Sequence, residues 1–205
     1  LRMGPARQRL YFERLGLFQP SRIELPESAA PIAPMRTDRL SVAILGYGHG
    51  LAMSVVSLAG AYTVFANDGQ RTTPTLLARA PTDAIPRVRV FSRDTARTTL
   101  RLLRGAVEHG TGARADVPGL EIAGKTGTAE KPGEAGYDEN RMLSSFAAIF
   151  PASDPRYVIV LALDEPRRTE AAAGLATGGA VAAPPVGRIA ARIAPILGVR
   201  TAAAQ

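Results

Sequence analysis

The segment Ala123-Gly124-Lys125-Thr126-Gly127-Thr128-Ala129 fits two unrelated motifs. Residues 119–126 match G-x-x-x-x-G-K-[ST], the phosphate loop of ATPases and GTPases. A phosphate loop needs an apolar strand before it and a helix that begins at the lysine, so that the helix N-terminus faces the phosphates. Here Asp-Val-Pro-Gly precedes the pattern and Gly-Thr-Ala-Glu-Lys-Pro-Gly follows it, so neither element is predicted. These flanks argue against a nucleotide-binding site.

The segment also fits an extended strand that spans residues 120–129. The first four residues of this strand, Leu-Glu-Ile-Ala, alternate as a strand does. In a strand, the side chains of Thr126 and Thr128 lie on one face. Gly127 has no side chain, so a substrate backbone has room to lie against it. Lys125 supplies a positive charge. Together these groups suit a peptide that ends in a carboxylate.

Two further strand-like runs follow and predict an antiparallel meander. The three predicted strands are residues 120–129, 143–150 and 156–163, and the last is rich in β-branched residues. A loop over residues 131–141 and a turn over 151–155 separate them. Short connections of this kind join antiparallel neighbours.

The rest of the chain is predicted to be helix and loop. The predicted helices are residues 6–15 ending at Gly16, 54–67, a third from the N-cap Ser92 to about His109, and 179–197. The apolar face of the second helix is predicted to be Val55, Leu58, Ala59, Tyr62 and Phe65, and that of the third Leu100, Leu103 and Val107. Residues 18–40, 46–50 and 110–119 are predicted loops, and residues 70–91 short extended pieces broken by prolines. No domain boundary is evident, so the fold class is α+β, with an antiparallel sheet packed with helices.

Composition excludes several classes of function. The formal charge is +7, but Lys125 and Lys131 are the only lysines and the arginines are scattered. No basic run is interleaved with aromatic residues, so no nucleic-acid partner is predicted. An anionic partner such as a cell-wall polymer or lipid headgroups stays open. With no cysteine and two histidines, the sequence predicts no disulfide, no metal site and no cofactor.

Blocks of sequence on both sides of Lys125-Thr126-Gly127 identify a family. The blocks are Leu15-Gly16-Leu17, Gly46-Tyr47-Gly48, the stretch 57–62 (Ser-Leu-Ala-Gly-Ala-Tyr), Asn67-Asp68-Gly69, the segment 123–131, the stretch 144–152 (Ser-Ser-Phe-Ala-Ala-Ile-Phe-Pro-Ala) and 178–184 (Gly-Gly-Ala-Val-Ala-Ala-Pro). In this order, over residues 1–197, they resemble the class B, monofunctional penicillin-binding proteins, and in particular the division-specific peptidoglycan D,D-transpeptidases. The Lys-Thr-Gly element resembles the K-T-G motif of penicillin-recognising serine enzymes. The resemblance implies the C-terminal part of a penicillin-binding/β-lactamase-like transpeptidase fold.

Two motifs of that family do not occur in these residues. No serine lies three positions before Lys125 or Lys131, so there is no Ser-x-x-Lys with its nucleophile, and no serine is followed two positions later by asparagine. In the family both motifs lie upstream of the first block. We therefore expect residues 1–198 to be a partial transpeptidase domain that lacks these motifs, followed by a flexible tail at 199–205. The chain alone is then expected to be inactive.

The resemblance implies a role for each residue of the segment. Lys125 would hold the hydrogen-bonded network that links the two other motifs, and the backbone N–H of Thr128 would contribute to the oxyanion hole. These two are the expected catalytic residues. Thr126 and Thr128 would bind the terminal carboxylate of a D-alanyl-D-alanine peptide, with Gly127 beside its backbone, so these three are the expected substrate-binding residues. The reaction would be acyl transfer through a serine ester.

The resemblance also implies partners and a location. Peptidoglycan stem peptides would be the substrates, β-lactams the inhibitors and cell-division proteins the partners. The whole protein would be anchored by an N-terminal transmembrane helix that is not in this chain, on the periplasmic side of the inner membrane. Two alternatives stay open: a serine β-lactamase-like hydrolase, and a non-catalytic cell-wall interaction module.

Overall fold

The computed structural model describes residues 3–34, 38–80, 82–133 and 136–199. The chain forms two compact units, Leu1–Ala96 and Arg97–Gln205. No shift in composition marks this boundary, and the expected extent of one partial domain, 1–198, stays a prediction. No helix in the described residues is both long enough and apolar enough to cross a membrane.

The first unit contains three helices and a two-stranded sheet within its described residues. They are α1 (Pro5–Leu15), α2 (Arg39–Gly46), α3 (Val55–Ala66), β1 (Gln70–Thr72) and β2 (Arg87–Arg89), and the two strands are antiparallel. The predicted end of α1 is confirmed, because Gly16 adopts a left-handed φ of 80° after the last helical residue. The short extended pieces expected within 70–91 are confirmed by β1 and β2.

Helix α2 was not predicted from the sequence. Asp38 caps it, since the aspartate side chain accepts a hydrogen bond from Ser41 N at 2.7 Å. Val42 and Leu45 are buried, so tertiary burial stabilises a helix of only 8 residues. The interpretation of residues 18–40 as loop was therefore wrong at its C-terminal end.

Helix α3 confirms the predicted element but not its predicted face. Its buried residues are Gly60, Ala61 and Val64, whereas Val55, which we expected to be buried, is exposed. The helix is apolar around its whole circumference, and a periodicity argument cannot choose a face in that case.

The second unit is built on a three-stranded sheet. Its elements are the end of α4 (Arg93–Glu108), then β3 (Ala123–Gly133), β4 (Gly136–Phe150), β5 (Tyr157–Asp164) and α5 (Ala183–Ile193). The strands are antiparallel in the order β3-β4-β5, so the meander and the α+β class are confirmed. Helix α4 begins as predicted, because Ser92 Oγ accepts a hydrogen bond from Thr95 N at 3.1 Å.

The bounds of the first two strands differ from the prediction. Strand β3 begins at Ala123, because Glu121 adopts a positive φ of 47° that interrupts extended geometry. Beyond Ala129 the strand continues, and Lys131 pairs with Asp138 after a register shift. Residues 131–141 were expected to be a loop. They instead largely extend the β3–β4 hairpin, although residues 134–135 lie outside the described part of the chain.

The last predicted helix is composed of two pieces. A π-helical turn, Gly178–Ala182, leads into α5, and Pro184 and Pro185 occupy the first turn of α5, where no intrahelical N–H bond is lost. Val199 is 6% exposed and belongs to the core, while the remaining residues of the expected flexible tail, 200–205, lie outside the described residues.

The core of the second unit lies between the sheet and α5. It contains the buried aromatic rings of Phe146 and Phe150, together with smaller aliphatic side chains such as Leu120, Ile122, Val107, Val186 and Ala190. The buried hydroxyl of Ser144 donates to the carbonyl of Ala176, which ties β4 to the segment before the π-helical turn. This packing fixes one face of the β3–β4 hairpin against the π-helical turn.

Candidate active site

The Lys-Thr-Gly-Thr segment lies on β3, which forms one edge of the sheet in the described residues. Residues 125–128 pair with residues 144–147 of β4, with Gly127 opposite Ser145. The other edge of β3 is not paired with a strand in this part of the chain. The segment is therefore a regular edge strand rather than a phosphate loop.

The side chains of Thr126 and Thr128 lie on the same face of β3, as strand alternation predicts. Thr126 Oγ1 lies 2.8 Å from Thr111 Oγ1. Thr128 Oγ1 accepts a hydrogen bond from Gly178 N at 3.0 Å. Gly179, the next residue, lies against Thr111 and the methyl group of Thr126. Each hydroxyl is thus held by a neighbour on the same side of the strand.

The bond from Gly178 to Thr128 leaves the hydroxyl proton of Thr128 available. A threonine hydroxyl has one proton to donate and two lone pairs that accept. Because Thr128 Oγ1 accepts from Gly178 N, its own proton is available to a ligand. Thr126 Oγ1 is arranged similarly, since Lys125 Nζ donates toward it at 3.4 Å and Thr111 can donate to it. The strand therefore presents the hydroxyl proton of Thr128 and, when Thr111 donates to Thr126, that of Thr126 as well.

Lys125 and Lys131, the two lysines of the chain, have different environments. Lys125 is exposed, its Nζ also lies 3.3 Å from Thr126 O, and it forms no ion pair with a carboxylate of the described residues. Lys131 Nζ forms ion pairs at 2.8 Å with both Asp164 and Glu165. The hydrogen bond to Asp164, followed by that to Glu165, raises the pKa of Lys131 above its ordinary value. Both lysines are cations, but of the two it is Lys125 whose charge no described carboxylate compensates.

Glycines allow the close approach of three backbone segments behind the site. A Cβ placed on Gly127 would lie 2.5 Å from Ser145 Oγ. A Cβ on Gly178 would collide with the carbonyl oxygens of Gly127 and Ser145. The π-helical turn therefore sits directly on the backbone of β3 and β4, and this contact places Gly178 N within reach of Thr128.

Thr111 is the site residue that sequence reasoning missed. It lies between Gly110 and Gly112 in a segment that the sequence predicts as a loop. The 15-residue separation from Thr126 carries no periodic signal, because the contact depends on the path of the intervening chain. The glycines on both sides were the available signal, since such positions mark turns or close backbone approach.

His109 has Glu108 as its described charged neighbour. His109 follows the end of α4, is largely exposed, and its Nε2 lies 3.9 Å from Glu108. Within the described residues there is no group of three or more His, Cys, Asp or Glu side chains that could hold a metal ion.

Comparison with known proteins agrees with this geometry. Residues 1–193 match the model of the penicillin-binding protein transpeptidase domain. The chain belongs to this family. The match covers all the blocks that carry the resemblance in the sequence, and it confirms that resemblance and the transpeptidase fold.

Individual relatives place this transpeptidase domain among class B enzymes. The chain is 42% identical over 209 residues to the probable peptidoglycan D,D-transpeptidase FtsI of Caulobacter vibrioides, covering 97% of this chain and 35% of that protein. It is 36% identical over 186 residues to penicillin-binding protein PbpB of Mycobacterium tuberculosis, covering 82% of this chain and 27% of that protein. The chain thus spans about a third of the length of the curated relatives it matches.

Solved structures of transpeptidase domains have the same fold. The apo transpeptidase domain of Burkholderia pseudomallei penicillin-binding protein 3 superposes with a TM-score of 0.88 at 32% identity, covering 98% of this chain and 60% of that one. Penicillin-binding protein 3 of Mycobacterium tuberculosis, complexed with aztreonam, superposes with a TM-score of 0.84 at 32% identity, covering 98% of this chain and 48% of that one.

Proposed function

We propose that residues 1–205 provide the substrate-binding strand of a peptidoglycan D,D-transpeptidase, which cross-links stem peptides through a serine ester and is acylated by β-lactams. The observation that carries the proposal is the edge strand that presents Lys125 and the hydroxyls of Thr126 and Thr128 on a family-matched transpeptidase fold. The serine nucleophile would belong to a part of the whole protein that these residues do not include.

The donors on β3 suit the carboxylate at the end of a D-alanyl-D-alanine peptide. A carboxylate only accepts hydrogen bonds, and its two oxygens fit a pair of hydroxyl donors. Thr126 and Thr128 are two residues apart on one strand face, so both hydroxyls can be directed to one carboxylate. The charge of Lys125 adds attraction, and hydrogen bonds to charged groups are stronger than neutral ones.

The free edge of β3 suits the backbone of the same peptide. An extended ligand can add to a sheet edge through main-chain hydrogen bonds. Gly127 keeps this edge free of a side chain at the point of closest approach. In the proposed reaction the N–H of Thr128 supplies one donor of the oxyanion hole, and the N–H of the serine nucleophile supplies the other.

The proposal is tested on the whole protein with a fluorescent penicillin, with a stem-peptide donor and an amine acceptor, and with a chromogenic β-lactam. A transpeptidase forms a long-lived serine ester with a fluorescent penicillin and joins a stem-peptide donor to an amine acceptor. Rapid turnover of a chromogenic β-lactam would instead support the hydrolase alternative. Absence of both labelling and cross-linking would support the non-catalytic interaction module.

Residues 1–205 alone are expected to form no covalent adduct with penicillin. They contain no Ser-x-x-Lys serine and only one of the two oxyanion donors. Intact-mass spectrometry after incubation with benzylpenicillin should show the unmodified mass. An adduct on any serine of this chain would contradict the proposal that the nucleophile lies outside residues 1–205.

Thr111→Val is expected to slow penicillin acylation of the whole protein about fivefold to tenfold, which corresponds to the loss of one hydrogen bond of ~1 kcal/mol. The hydroxyl of Thr111 would act by orienting that of Thr126 rather than by touching substrate. Thr111 is exposed, so the melting temperature should change little. The matched control is Thr111→Ser, which keeps the hydroxyl and should keep the rate. If both variants slowed acylation equally, the orienting role would be wrong.

The proposed cellular location of the whole protein rests on its family. We propose that the whole protein acts at the periplasmic side of the inner membrane, held by an N-terminal transmembrane helix and working with cell-division proteins. The relatives from Caulobacter vibrioides and Mycobacterium tuberculosis support a role in cell-wall synthesis, because one is a probable peptidoglycan D,D-transpeptidase and the other a penicillin-binding protein.

A further inference from the structure

A cavity of about 230 Å³ lies within the first unit, between the segment after α1, the start of α3 and the chain that follows β1. Its polar lining includes the side chains of Ser21, Arg22, Ser57, Arg71 and Thr72. No aspartate or glutamate is among its lining residues. The polar part of the lining therefore carries positive charge and hydrogen-bond donors but no carboxylate, and apolar side chains such as Leu15, Val56 and Pro74 form the rest.

Arg71 is the central group of this cavity. Its Nε is buried and has no hydrogen-bond partner in the described residues. The guanidinium lies against Gly16, where an added Cβ would overlap it. Gly16 also has a left-handed φ of 80°, so the end of α1 requires glycine for two independent reasons. The fold thus makes room for an arginine whose donors it does not satisfy.

Arg22 adds a second guanidinium at the exposed side of the cavity. Neither Arg22 nor Arg71 forms an ion pair with a described carboxylate. By contrast, Arg104 in the second unit binds Asp116 at 2.7 Å. Buried donors are normally satisfied, so an unsatisfied guanidinium that faces a cavity needs an explanation. An anion in the cavity would accept from the terminal guanidinium nitrogens of Arg71, for which the described residues supply no acceptor.

Serine hydroxyls provide further donors. Ser21 Oγ lies 2.6 Å from Ser57 Oγ and 3.0 Å from Ser54 Oγ, and the last two are 3.0 Å apart. Three hydroxyls in a triangle share three protons, so one proton can turn to a ligand while two bonds remain. Of the three serines, Ser21 and Ser57 line the cavity.

We propose that this cavity binds a phosphate group. Its volume is below the roughly 300 Å³ at which pockets for drug-sized ligands begin, so the bound group is small. Guanidinium groups match phosphate oxygens in a fork geometry. Donors come from Arg22, Arg71 and the serine hydroxyls on different elements of the chain, which suits a tetrahedral anion better than a planar carboxylate. Free phosphate and the phosphate of a lipid headgroup share this chemistry.

The test is inorganic phosphate binding to the 205-residue chain, measured by isothermal titration calorimetry and by the shift in melting temperature. Wild type is expected to bind and to melt higher with phosphate, since a ligand of the folded state stabilises it. Arg71→Met should weaken binding at least about tenfold. The matched control is Arg188→Met, which removes the same charge from an exposed position on α5 and should bind like wild type.

A structural role for Arg71 predicts a different pattern. If Arg71 serves to bind an anion, the melting temperature of Arg71→Met without phosphate should be no lower than that of wild type. The variant then loses only a buried donor that had no acceptor. A lower melting temperature together with unchanged phosphate affinity overturns the proposal. Arg22→Met tests the same site from an exposed position that folding does not need, and it should weaken binding several-fold.

Two further measurements distinguish free phosphate from a lipid headgroup, and a phosphate from a carboxylate. Vesicles of phosphatidylcholine with and without phosphatidic acid are offered to wild type and Arg71→Met. Binding of phosphatidic acid that depends on Arg71, without binding of free phosphate, supports a headgroup as the source, and competition by free phosphate supports the soluble anion. Acetate that binds as tightly as phosphate overturns the phosphate assignment, and so does the absence of binding in every arm.

Discussion

Lys125→Ala is expected to slow acylation of the whole transpeptidase by fluorescent penicillin about a hundredfold or more. Loss of one preorganised electrostatic contact in an active site typically costs ~3 kcal/mol of transition-state stabilisation. Lys125 is the lysine whose charge is not neutralised by a described carboxylate, and its Nζ lies beside Thr126 on the substrate-binding strand. The measurement is the rate of covalent labelling, with circular dichroism to show that the variant is folded.

Lys131→Ala is the matched control for this experiment. It removes the same charge from the same strand, but Lys131 is already paired with Asp164 and Glu165. Labelling should stay within about twofold of wild type, because an exposed ion pair contributes little. If both variants lost labelling equally, the effect would come from the strand's total charge and not from Lys125 in particular. Undiminished labelling of Lys125→Ala would exclude the proposed role.

Gly178→Ala is expected to destabilise the chain by ~3 kcal/mol, the upper part of the usual range for overpacking a tight contact. The added methyl group would collide with the carbonyl oxygens of Gly127 and Ser145, which belong to backbone and cannot move aside as a flexible side chain would. The displacement would also break the bond from Gly178 N to Thr128 Oγ1. The free energy of unfolding is measured by urea titration of residues 1–205.

Gly105→Ala is the control for Gly178→Ala, since it adds the same methyl group within α4. A Cβ at Gly105 would have no atom within 4 Å outside the local helix, so no clash opposes the gain in helix propensity. The variant should be more stable by ~0.5–1 kcal/mol. A Gly178→Ala variant as stable as Gly105→Ala would mean that the π-helical turn does not contact the strands in solution as described.

How much the sequence alone could predict depended on whether a signal was local. Ser92 caps α4 as its side-chain chemistry predicts. The β-branched run in β5 predicted a strand whose bounds differ from the observed ones by one residue at each end. Local signals of this kind need no knowledge of the tertiary structure.

Features that depend on distant contacts were missed. The extension of the β3–β4 hairpin has polar residues, and pairing across the register shift after Glu130 holds it rather than apolar alternation. Thr111 reaches Thr126 only because the loop after α4 returns to the sheet. Residues 125–128 and the blocks around them were enough to propose the candidate site from the sequence, but not the third hydroxyl, that of Thr111.

The edge of β3 that pairs with no strand of the described residues has a consequence beyond the proposed substrate binding. An open strand edge is a template for another copy of the same chain, and natural proteins protect such edges with charge, bulges or short length. This edge cannot be covered permanently if a peptide is to dock there. Lys125 and the irregularity after Glu130 are features that discourage regular pairing. If Lys125 binds a carboxylate as proposed, the same charge also opposes pairing of this strand with a second copy of the chain.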